Sequence, residues 1–255
     1  MYARVALLLC LLANPAFCTE PAVTTHISGH RYTEDVPAIP ADLTAALERY
    51  QNTRGARLGG WLADGSMLVL TRFGDTEQVH RVAAPLGMRE QLTFSPEPVS
   101  ELVTSPHHNR FVYLKDQRGD EFWQLHLHDL STGQSTRLTA GGRTRNQLPV
   151  MSPNGEWLAF SSTERNGTDS DIWIVDLTTK KRRIITREPG IWYPLAVSPD
   201  GGALLAMQYV SITETRPARI DLKTGAIERL PIDGGTAAIT HMAWDLSGRG
   251  VWFVS

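Results

Sequence analysis

The fold of this chain is decided by residues 150–186, VMSPNGEWLAFSSTERNGTDSDIWIVDLTTKKRRIIT. In its first turn, at 152–155, proline fixes φ and Asn-Gly readily takes a positive φ, so the chain must reverse there. Apolar runs follow at 157–160 and 172–175, with a polar loop between them. A second turn at 178–181 leads into a last apolar run. These features predict a four-stranded antiparallel meander without a helix.

Variants of this stretch recur along the chain. The first turn reappears in SPHHNRFVYL, SPDGGALLAM and DLSGRGVWFV, and more weakly in LADGSMLVL. Counting these copies, the repeats start near residues 62, 105, 152, 198 and 245, about 45 residues apart. A second landmark, an Asp-Leu pair that precedes a Leu/Ile ending, keeps the same period and lies at Asp129, Asp176 and Asp221. Two independent landmarks with one period indicate true internal repetition.

A period near 45 with four strands per repeat is typical of a β-propeller blade, since one small sheet cannot bury both faces until neighbours stack on it. We therefore predict an all-β fold, a β-propeller of four-stranded antiparallel blades with about 4.5 repeats and an incomplete ring. Aromatic residues recur at equivalent positions and should pack between blades; they are Trp157, Phe160, Trp173, Trp244, Trp252 and Phe253.

The N-terminus predicts export. Residues 1–18 combine the basic Arg4 with an apolar core and small residues near a cleavage point, which is typical of a secretory signal peptide. Both cysteines, Cys10 and Cys18, lie in this segment, and lipidation of Cys18 is the alternative to simple cleavage. We expect a periplasmic or secreted protein without a stable membrane span, because no later stretch approaches the roughly 20 apolar residues that spanning requires.

Residues 19–55 predict an extended lead-in with one short helix. Three prolines and mixed polarity argue against regular structure up to Pro40. Beyond it, Leu43, Leu47 and Tyr50 share one helical face. The partial propeller is then expected over residues 56–255.

Charge excludes one class of partner. The formal net charge is −2, and the sequence has no basic stripe that would indicate nucleic-acid binding. The basic run at 180–183 falls in a predicted hairpin turn, where a solvated loop is the expected environment.

Three stretches resemble the N-terminal propeller of the prolyl oligopeptidase family of serine peptidases. They are LTRFGDTEQVHRVAAPLGMREQLTF at 70–94, DQRGDEFWQLHLHDLSTGQSTRLT at 116–139 and the repeat quoted above. The most specific parts are Gly-Asp-Glu followed by aromatic residues and Gln-Leu, and the run Ser-Ser-x-x-x-Asn-Gly-Thr-x-x-Asp. The resemblance covers residues 40–255, and its SPDG turns are shared with TolB-like propellers.

The resemblance implies a non-catalytic role for this part of the protein. In that family the catalytic Ser, Asp and His lie in an α/β-hydrolase domain after the propeller, with the Ser in a G-x-S-x-G elbow. No G-x-S-x-G occurs here, so we assign no catalytic residues and expect no cofactor. The expected function is a propeller domain of an exported prolyl-oligopeptidase-like serine peptidase, which covers the active site and filters peptide substrates by size. Its partners would be a C-terminal α/β-hydrolase domain and peptides; a stand-alone TolB-like periplasmic propeller that binds another protein is the alternative.

Histidines offer a second kind of site to consider. His126 and His128 lie two apart on a predicted strand and so face one side, where a carboxylate could join them around a metal. Asp129 points the other way, so we expect a solvent-facing strand surface and no metal site. His107 and His108 occupy a turn and are expected to be ordinary turn residues.

Acidic residues in the second repeat are the main candidates for a functional contact. Asp120 and Glu121 fall in a loop from which a propeller can reach whatever covers its face. A carboxylate pair there could contact a catalytic domain or attract the ammonium group of a peptide N-terminus; a solvated acidic loop is the other reading. Arg72 and Asp116 are weaker candidates for the same inter-domain face.

Overall fold

The computed structural model of the protein describes residues 23–232, 235 and 237–255. The signal peptide predicted for residues 1–18, with both cysteines, lies outside these ranges. No helix within them is long and apolar enough to cross a membrane.

The chain enters the fold through a hairpin and one helix. The hairpin pairs β1 (Thr25–Ser28) with β2 (Arg31–Glu34), where sequence analysis predicted only an extended lead-in. Helix α1 (Ala41–Gln51) begins after Pro40 as predicted, and none of its residues is buried. Its stability therefore does not come from packing against the sheets.

The rest of the described chain forms five sheets in sequence. The first contains β3 (Ala56–Trp61), β4 (Met67–Thr71), β5 (Gln78–Val82) and β6 (Arg89–Gln91). The second contains β7 (Leu102–Thr104), β8 (Arg110–Lys115), β9 (Gln124–Asp129) and β10 (Gln134–Arg137). The third contains β11 (Asn146–Met151), β12 (Trp157–Ser162), β13 (Asp171–Asp176) and β14 (Arg182–Ile184). The fourth contains β15 (Ile191–Val197), β16 (Ala203–Ser211), β17 (Glu214–Asp221) and β18 (Ile227–Arg229), and the fifth pairs β19 (His241–Trp244) with β20 (Val251–Val254).

Each four-stranded sheet is an antiparallel meander in which strands pair in chain order. The predicted propeller of four-stranded blades is thus confirmed, with a ring that does not close. The first strands of successive sheets contact one another, so they line the inside of the arc.

The recurrent turns follow from specific hydrogen bonds. The hydroxyl of Ser152 accepts a hydrogen bond from the backbone N–H of Trp157 at 3.1 Å, and Ser198 does the same for Ala203 at 2.8 Å. Gly155 has φ +70°, and a Cβ there would lie 2.2 Å from the Ser105 hydroxyl oxygen of the preceding blade. Glycine is therefore required both by the backbone and by the close approach of two blades.

Four apolar clusters hold the arc together, one between each pair of successive sheets. Alternation along β12 shows the rule: Leu158 and Phe160 pack toward the second sheet, and Ala159 packs toward the fourth. Each of the three middle blades thus has two buried faces and depends on both neighbours.

Not every aromatic residue lies in these clusters. Phe160 is fully buried, and Trp157, Trp173 and Trp244 pack against the clusters. The prediction was wrong for Trp252 and Phe253, which are 73% and 53% exposed. Trp252 lies on the outer face of the fifth sheet, and no further sheet of the described chain covers that face.

A recurring hydrogen bond, called here the threonine hook, explains the Leu/Ile-Thr ending of the first three repeats. The hydroxyls of Thr93, Thr139 and Thr186 accept hydrogen bonds from the second backbone N–H groups of the third strands, at 2.9, 3.2 and 2.8 Å. In the first blade, Gln78 reinforces the hook. Its Nε2 donates to the carbonyls of Ser95 and Glu97, and its Oε1 accepts from the Thr93 hydroxyl and the Ser95 N–H.

We expect Gln78→Ala to lower the free energy of unfolding by about 2–3 kcal/mol, because it leaves several buried polar groups without partners. Urea denaturation followed by tryptophan fluorescence measures this. Gln134→Ala is the matched control, since Gln134 is exposed at the start of β10 and should cost under about 0.5 kcal/mol. Equal losses from both variants would contradict the role of Gln78.

Candidate functional site

The blades present two different ends. In an antiparallel meander, the loop between the second and third strands lies at the same end as the connection to the next blade. We call this end the loop face. It carries the loops 72–77, 116–123, 163–170 and 212–213 and the connections 92–101, 138–145 and 185–190.

The acidic loop, defined here as residues 116–123, contains three of the four predicted contact residues. The buried Asp116 accepts a hydrogen bond at its Oδ2 from the backbone N–H of Glu121, at 3.1 Å. Asp120 accepts from the N–H groups of Gln117 and Phe122, at 3.3 and 3.0 Å. The carboxylates of Asp116 and Asp120 therefore shape the loop from within, and the Glu121 carboxylate points outward.

Glu121 is held in a sparsely populated backbone conformation. Its φ is +58°, in the left-handed region that a residue with a Cβ rarely adopts, and Arg118 in the same loop has the same φ. Its side chain is 70% exposed, and Oε2 lies 3.3 Å from Nη2 of Arg145, which is 50% exposed. The loop face thus presents one carboxylate and one guanidinium side by side to solvent.

Arg72, the fourth predicted residue, lies apart from this group. It begins the loop after β4, and its Nη2 donates to the backbone carbonyl of Gln51 at the end of α1. A surface cleft of about 430 Å³ lies there, lined in part by Arg72, Asp75 and Glu77. Arg72 therefore anchors the N-terminal helix and is not joined to the acidic loop by any hydrogen bond or ion pair of the described residues.

Hydrogen bonds join the loops of successive blades at the loop face. Glu97 of the first connection accepts from the backbone N–H of Arg118, at 3.3 Å. Asn146 Nδ2 donates to the carbonyl of Trp123, at 2.7 Å, and ties the acidic loop to the third blade. Asp169 accepts from the N–H of Gly190, at 2.8 Å, which links the third blade to its exit. These bonds place loops from different repeats at fixed positions relative to one another.

The expected solvent-facing surface at His126 and His128 is wrong. His128 is only 3% exposed; its ring stacks on Phe111 with centroids 4.8 Å apart. His126 is partly buried and stacks on Tyr113 at 5.3 Å. The sheet face that carries both histidines is covered by a neighbouring blade. The sequence period alone does not indicate which sheet faces are covered. Nowhere in the described ranges do three or more metal-ligating side chains come together.

Burial changes the ionisation of these rings. Desolvation lowers the pKa of His126 from its ordinary value of 6.5 to about 4, with the positive charges of Lys115 and Arg137 acting in the same direction. Desolvation also lowers the pKa of His128 and of His80. The unfolded chain therefore binds protons more readily than the folded chain between about pH 6.5 and about pH 4.

We expect the urea midpoint to fall on acidification across this window, because stability is lost as pH drops through the unfolded-state pKa of these histidines. In His126→Gln the fall between about pH 7.5 and about pH 4.5 should be smaller than in the wild type. His107→Gln, at an exposed turn position, should leave the fall unchanged. Identical pH dependence of the wild type and His126→Gln would contradict the effect of burial on His126.

Sequence reasoning missed Arg145. It lies 24 residues after Glu121, in a connection rather than in a motif, and nothing in the sequence indicates that the two side chains meet. The only available signal was its position immediately before a first strand, which places it at the loop face.

The described chain is an open arc of β-propeller blades, and its loop face presents a charged pair. No family model matches the sequence. Three curated proteins are similar. An uncharacterised protein of Agrobacterium fabrum is 30% identical over 132 residues, 51% of this chain and 42% of that protein. Dipeptidyl-peptidase 5 of Porphyromonas gingivalis is 25% identical over 147 residues, 55% of this chain and 20% of that enzyme.

The third relative is dipeptidyl aminopeptidase BIII of Pseudoxanthomonas mexicana, which is 30% identical over 105 residues, 36% of this chain and 15% of that enzyme. The chain thus spans less than half the length of each of these relatives.

Solved structures share the fold at low sequence identity. TolB from Acinetobacter baumannii has a TM-score of 0.54 at 18% identity, over 88% of this chain and 56% of TolB. A prolyl endopeptidase has a TM-score of 0.61 at 13% identity, over 75% of this chain and 31% of the enzyme. The predicted likeness to peptidase and TolB propellers is confirmed at the level of the fold.

Proposed function

We propose that this chain is the non-catalytic propeller domain of an exported serine peptidase similar to prolyl oligopeptidase. In this proposal the propeller covers the active site of an α/β-hydrolase domain elsewhere in the protein and filters substrates by size. Residues 1–18 would direct export to the periplasm or the medium. The observation that carries the proposal is the sequence similarity to two dipeptidyl peptidases, each several times longer than the matched region.

The arrangement of the blades supports a filtering role. The first strands of successive blades line the inside of the arc, so a completed ring would enclose a narrow channel. A channel narrower than a folded domain, whose radius of gyration is about 13 Å for 100 residues, would pass an extended peptide and exclude folded proteins. Size alone would then separate peptides from folded proteins.

The loop face supplies the surface that a covering domain or a peptide would meet. Glu121 and Arg145 are exposed there, and the loop that carries Glu121 is held by its own carboxylates. Left-handed backbone at Glu121 and Arg118 costs on the order of 1 kcal/mol per residue. The exposed charged pair favours a recognition role over an ordinary solvated loop.

A fluorophosphonate probe, which reacts covalently with active serines, tests the peptidase class. The whole protein that carries this chain, purified from its source cells, should be labelled and should cleave a short peptide. It should not cleave the same sequence inserted into a loop of a tightly folded host. Subtilisin, which has no covering domain, is the control that should attack both substrates. Labelling together with efficient cleavage of the folded host would contradict the filter.

The second candidate is a stand-alone TolB-like periplasmic propeller that binds another protein. It is favoured by the extent of the structural likeness, because the likeness to TolB covers 88% of this chain and the likeness to the prolyl endopeptidase covers 75%. In that case the purified protein should remain unlabelled and cleave no peptide, and it should elute together with a partner protein in size-exclusion chromatography.

For the peptidase, we expect Glu121→Gln to lower kcat/KM for short peptides with a free N-terminal amine by about tenfold or more. A charge-assisted hydrogen bond contributes about 1.5–3 kcal/mol, and each 1.4 kcal/mol is about a factor of ten. The same peptides with a blocked amine should be affected little. Glu121 is a cleaner target than Asp120, whose carboxylate holds the loop backbone.

Glu90→Gln is the control for this measurement, because Glu90 is an exposed carboxylate on the outermost strand of the first blade. It should leave both substrates unchanged. Equal losses for free and blocked peptides in Glu121→Gln would return the acidic loop to a purely structural role.

A further inference from the structure

The basic run of the third repeat, predicted as a solvated hairpin turn, reaches into the last strand of the third blade. Arg182 and Arg183 lie in β14, and Lys181 directly precedes this strand. The guanidinium of Arg182 forms an ion pair with Glu164. Arg183 Nη2 donates a hydrogen bond to the carbonyl of Leu222 in the fourth blade, at 3.3 Å. The run therefore belongs in part to the interface between two blades.

Strand register places Lys181 and Arg183 on the sheet face that looks toward the fourth blade. Arg183 lies opposite Ile174, a member of the apolar cluster between the third and fourth blades. Trp157 lies opposite Asp176, whose N–H donates to the carbonyl of Lys181. Because residues directly opposite each other share a face, Trp157, Asp176 and Lys181 form one row across the sheet. Ile174 and Arg183 lie in the next row of the same face.

These side chains line a cleft of about 320 Å³ at the end of the blades opposite the loop face, here called the turn end. We call it the cationic cleft and define it by Trp157, Ile174, Asp176, Lys181 and Arg183. Ile174 is buried, Trp157 is partly buried and both cations are exposed. Small-molecule sites have volumes of about 300–1,000 Å³, so the cationic cleft is large enough for a small ligand or the end of a peptide.

The preceding blade uses the position of Trp157 differently. Arg110 lies opposite Asp129 at the start of β8, as Trp157 lies opposite Asp176 at the start of β12. The Arg110 Nη2 donates to the carbonyl of Gly155 in the third blade, at 2.8 Å. The third blade therefore places an aromatic side chain where the second blade has a cation committed to its neighbour.

Charge and lining together favour an anionic ligand with an apolar body. Asp176 is the acidic residue of the cleft, and its Oδ1 already accepts hydrogen bonds from the backbone N–H groups of Thr178 and Thr179. The ammonium group of Lys181 forms no ion pair within the described part of the chain. A guanidinium fork matches the geometry of a carboxylate, and an indole offers an apolar face with an N–H at its edge.

We propose that the cationic cleft binds an apolar carboxylate, which is a carboxylate carried on an aliphatic or aromatic body. Lys181 and Arg183 bind the carboxylate, and the apolar body packs on Trp157. The C-terminus of a polypeptide with an apolar last residue and a free small carboxylic acid share this chemistry. The cleft lies at the turn end, away from Glu121, so the proposal does not depend on the peptidase assignment.

Calorimetric titration of the whole protein tests the proposal, after a small sulfonyl fluoride has blocked any reactive serine. One pair of ligands compares 3-phenylpropanoate with 3-phenylpropanamide. A second pair compares N-acetyl-Ala-Ala-Phe as free acid and as C-terminal amide. We expect the acid of at least one pair to bind about tenfold more tightly than its amide. The acid that binds more tightly identifies the source, a polypeptide C-terminus or a small acid.

Acetate tests the apolar part of the site. It carries the same charge without an apolar body, so it should bind at least about tenfold more weakly than 3-phenylpropanoate. Equal affinities for the two anions would overturn the role of Trp157.

Variants separate the cleft from general surface charge. Lys181→Gln should lower the acid-to-amide ratio about threefold, as expected for one exposed ionic contact, and the double variant Lys181→Gln, Arg183→Gln should bring it to about one. Lys180→Gln is the matched control, because Lys180 is exposed, carries the same charge one residue earlier and does not line the cleft. Its ratio should equal that of the wild type.

Two results would overturn the proposal. One is an acid-to-amide ratio near one for both pairs in the wild type. The other is an equal loss in Lys180→Gln and Lys181→Gln, which would reduce the effect to long-range charge. Neither lysine side chain forms an ion pair in the described chain, so thermal melting of both variants should match the wild type. Their comparison therefore holds even if the double variant fails to fold.

Discussion

Each complete sheet of this arc has apolar side chains on both faces, and this constraint governs the rest of the structure. Along β12, alternating residues enter the clusters on either side, so removing one neighbouring blade would expose half of the strand to water. The stability of the arc therefore depends on the interfaces between successive blades, and each blade is supported by the next. The exposed Trp252 on the outer face of the last sheet shows the same rule where no described blade covers it.

Stacking also brings loops from distant parts of the sequence to one face. The threonine hooks and Gln78 fix the exits of the first three blades against their own third strands. Interblade bonds such as Asn146 to Trp123 then set the position of the acidic loop relative to the next connection. Glu121 and Arg145 meet because these bonds fix the positions of the acidic loop and of the connection that carries Arg145.

Charged side chains of this fold differ in how far the structure itself uses them. At the turn end, Asp176 accepts hydrogen bonds from the N–H groups of Thr178 and Thr179, and these bonds, led by that of Thr179, lower the pKa of Asp176. Such carboxylates are committed to holding turns. At the loop face, Glu121 and Arg145 remain largely exposed and make few bonds.

The sequence by itself determined the local elements and their repetition. Turn residues with special φ preferences and alternating apolar runs act through interactions within a few residues. Their repetition with a period near 45 predicts four-stranded blades. The acidic loop and its candidate residues Asp116, Asp120 and Glu121 could be located in the same way. Tertiary structure alone decided which sheet faces are covered, and so reversed the expectation for His126 and His128. It also decided which carboxylates are used internally and that Arg145 meets Glu121, because these contacts join different loops and blades and leave no periodic signal in the chain.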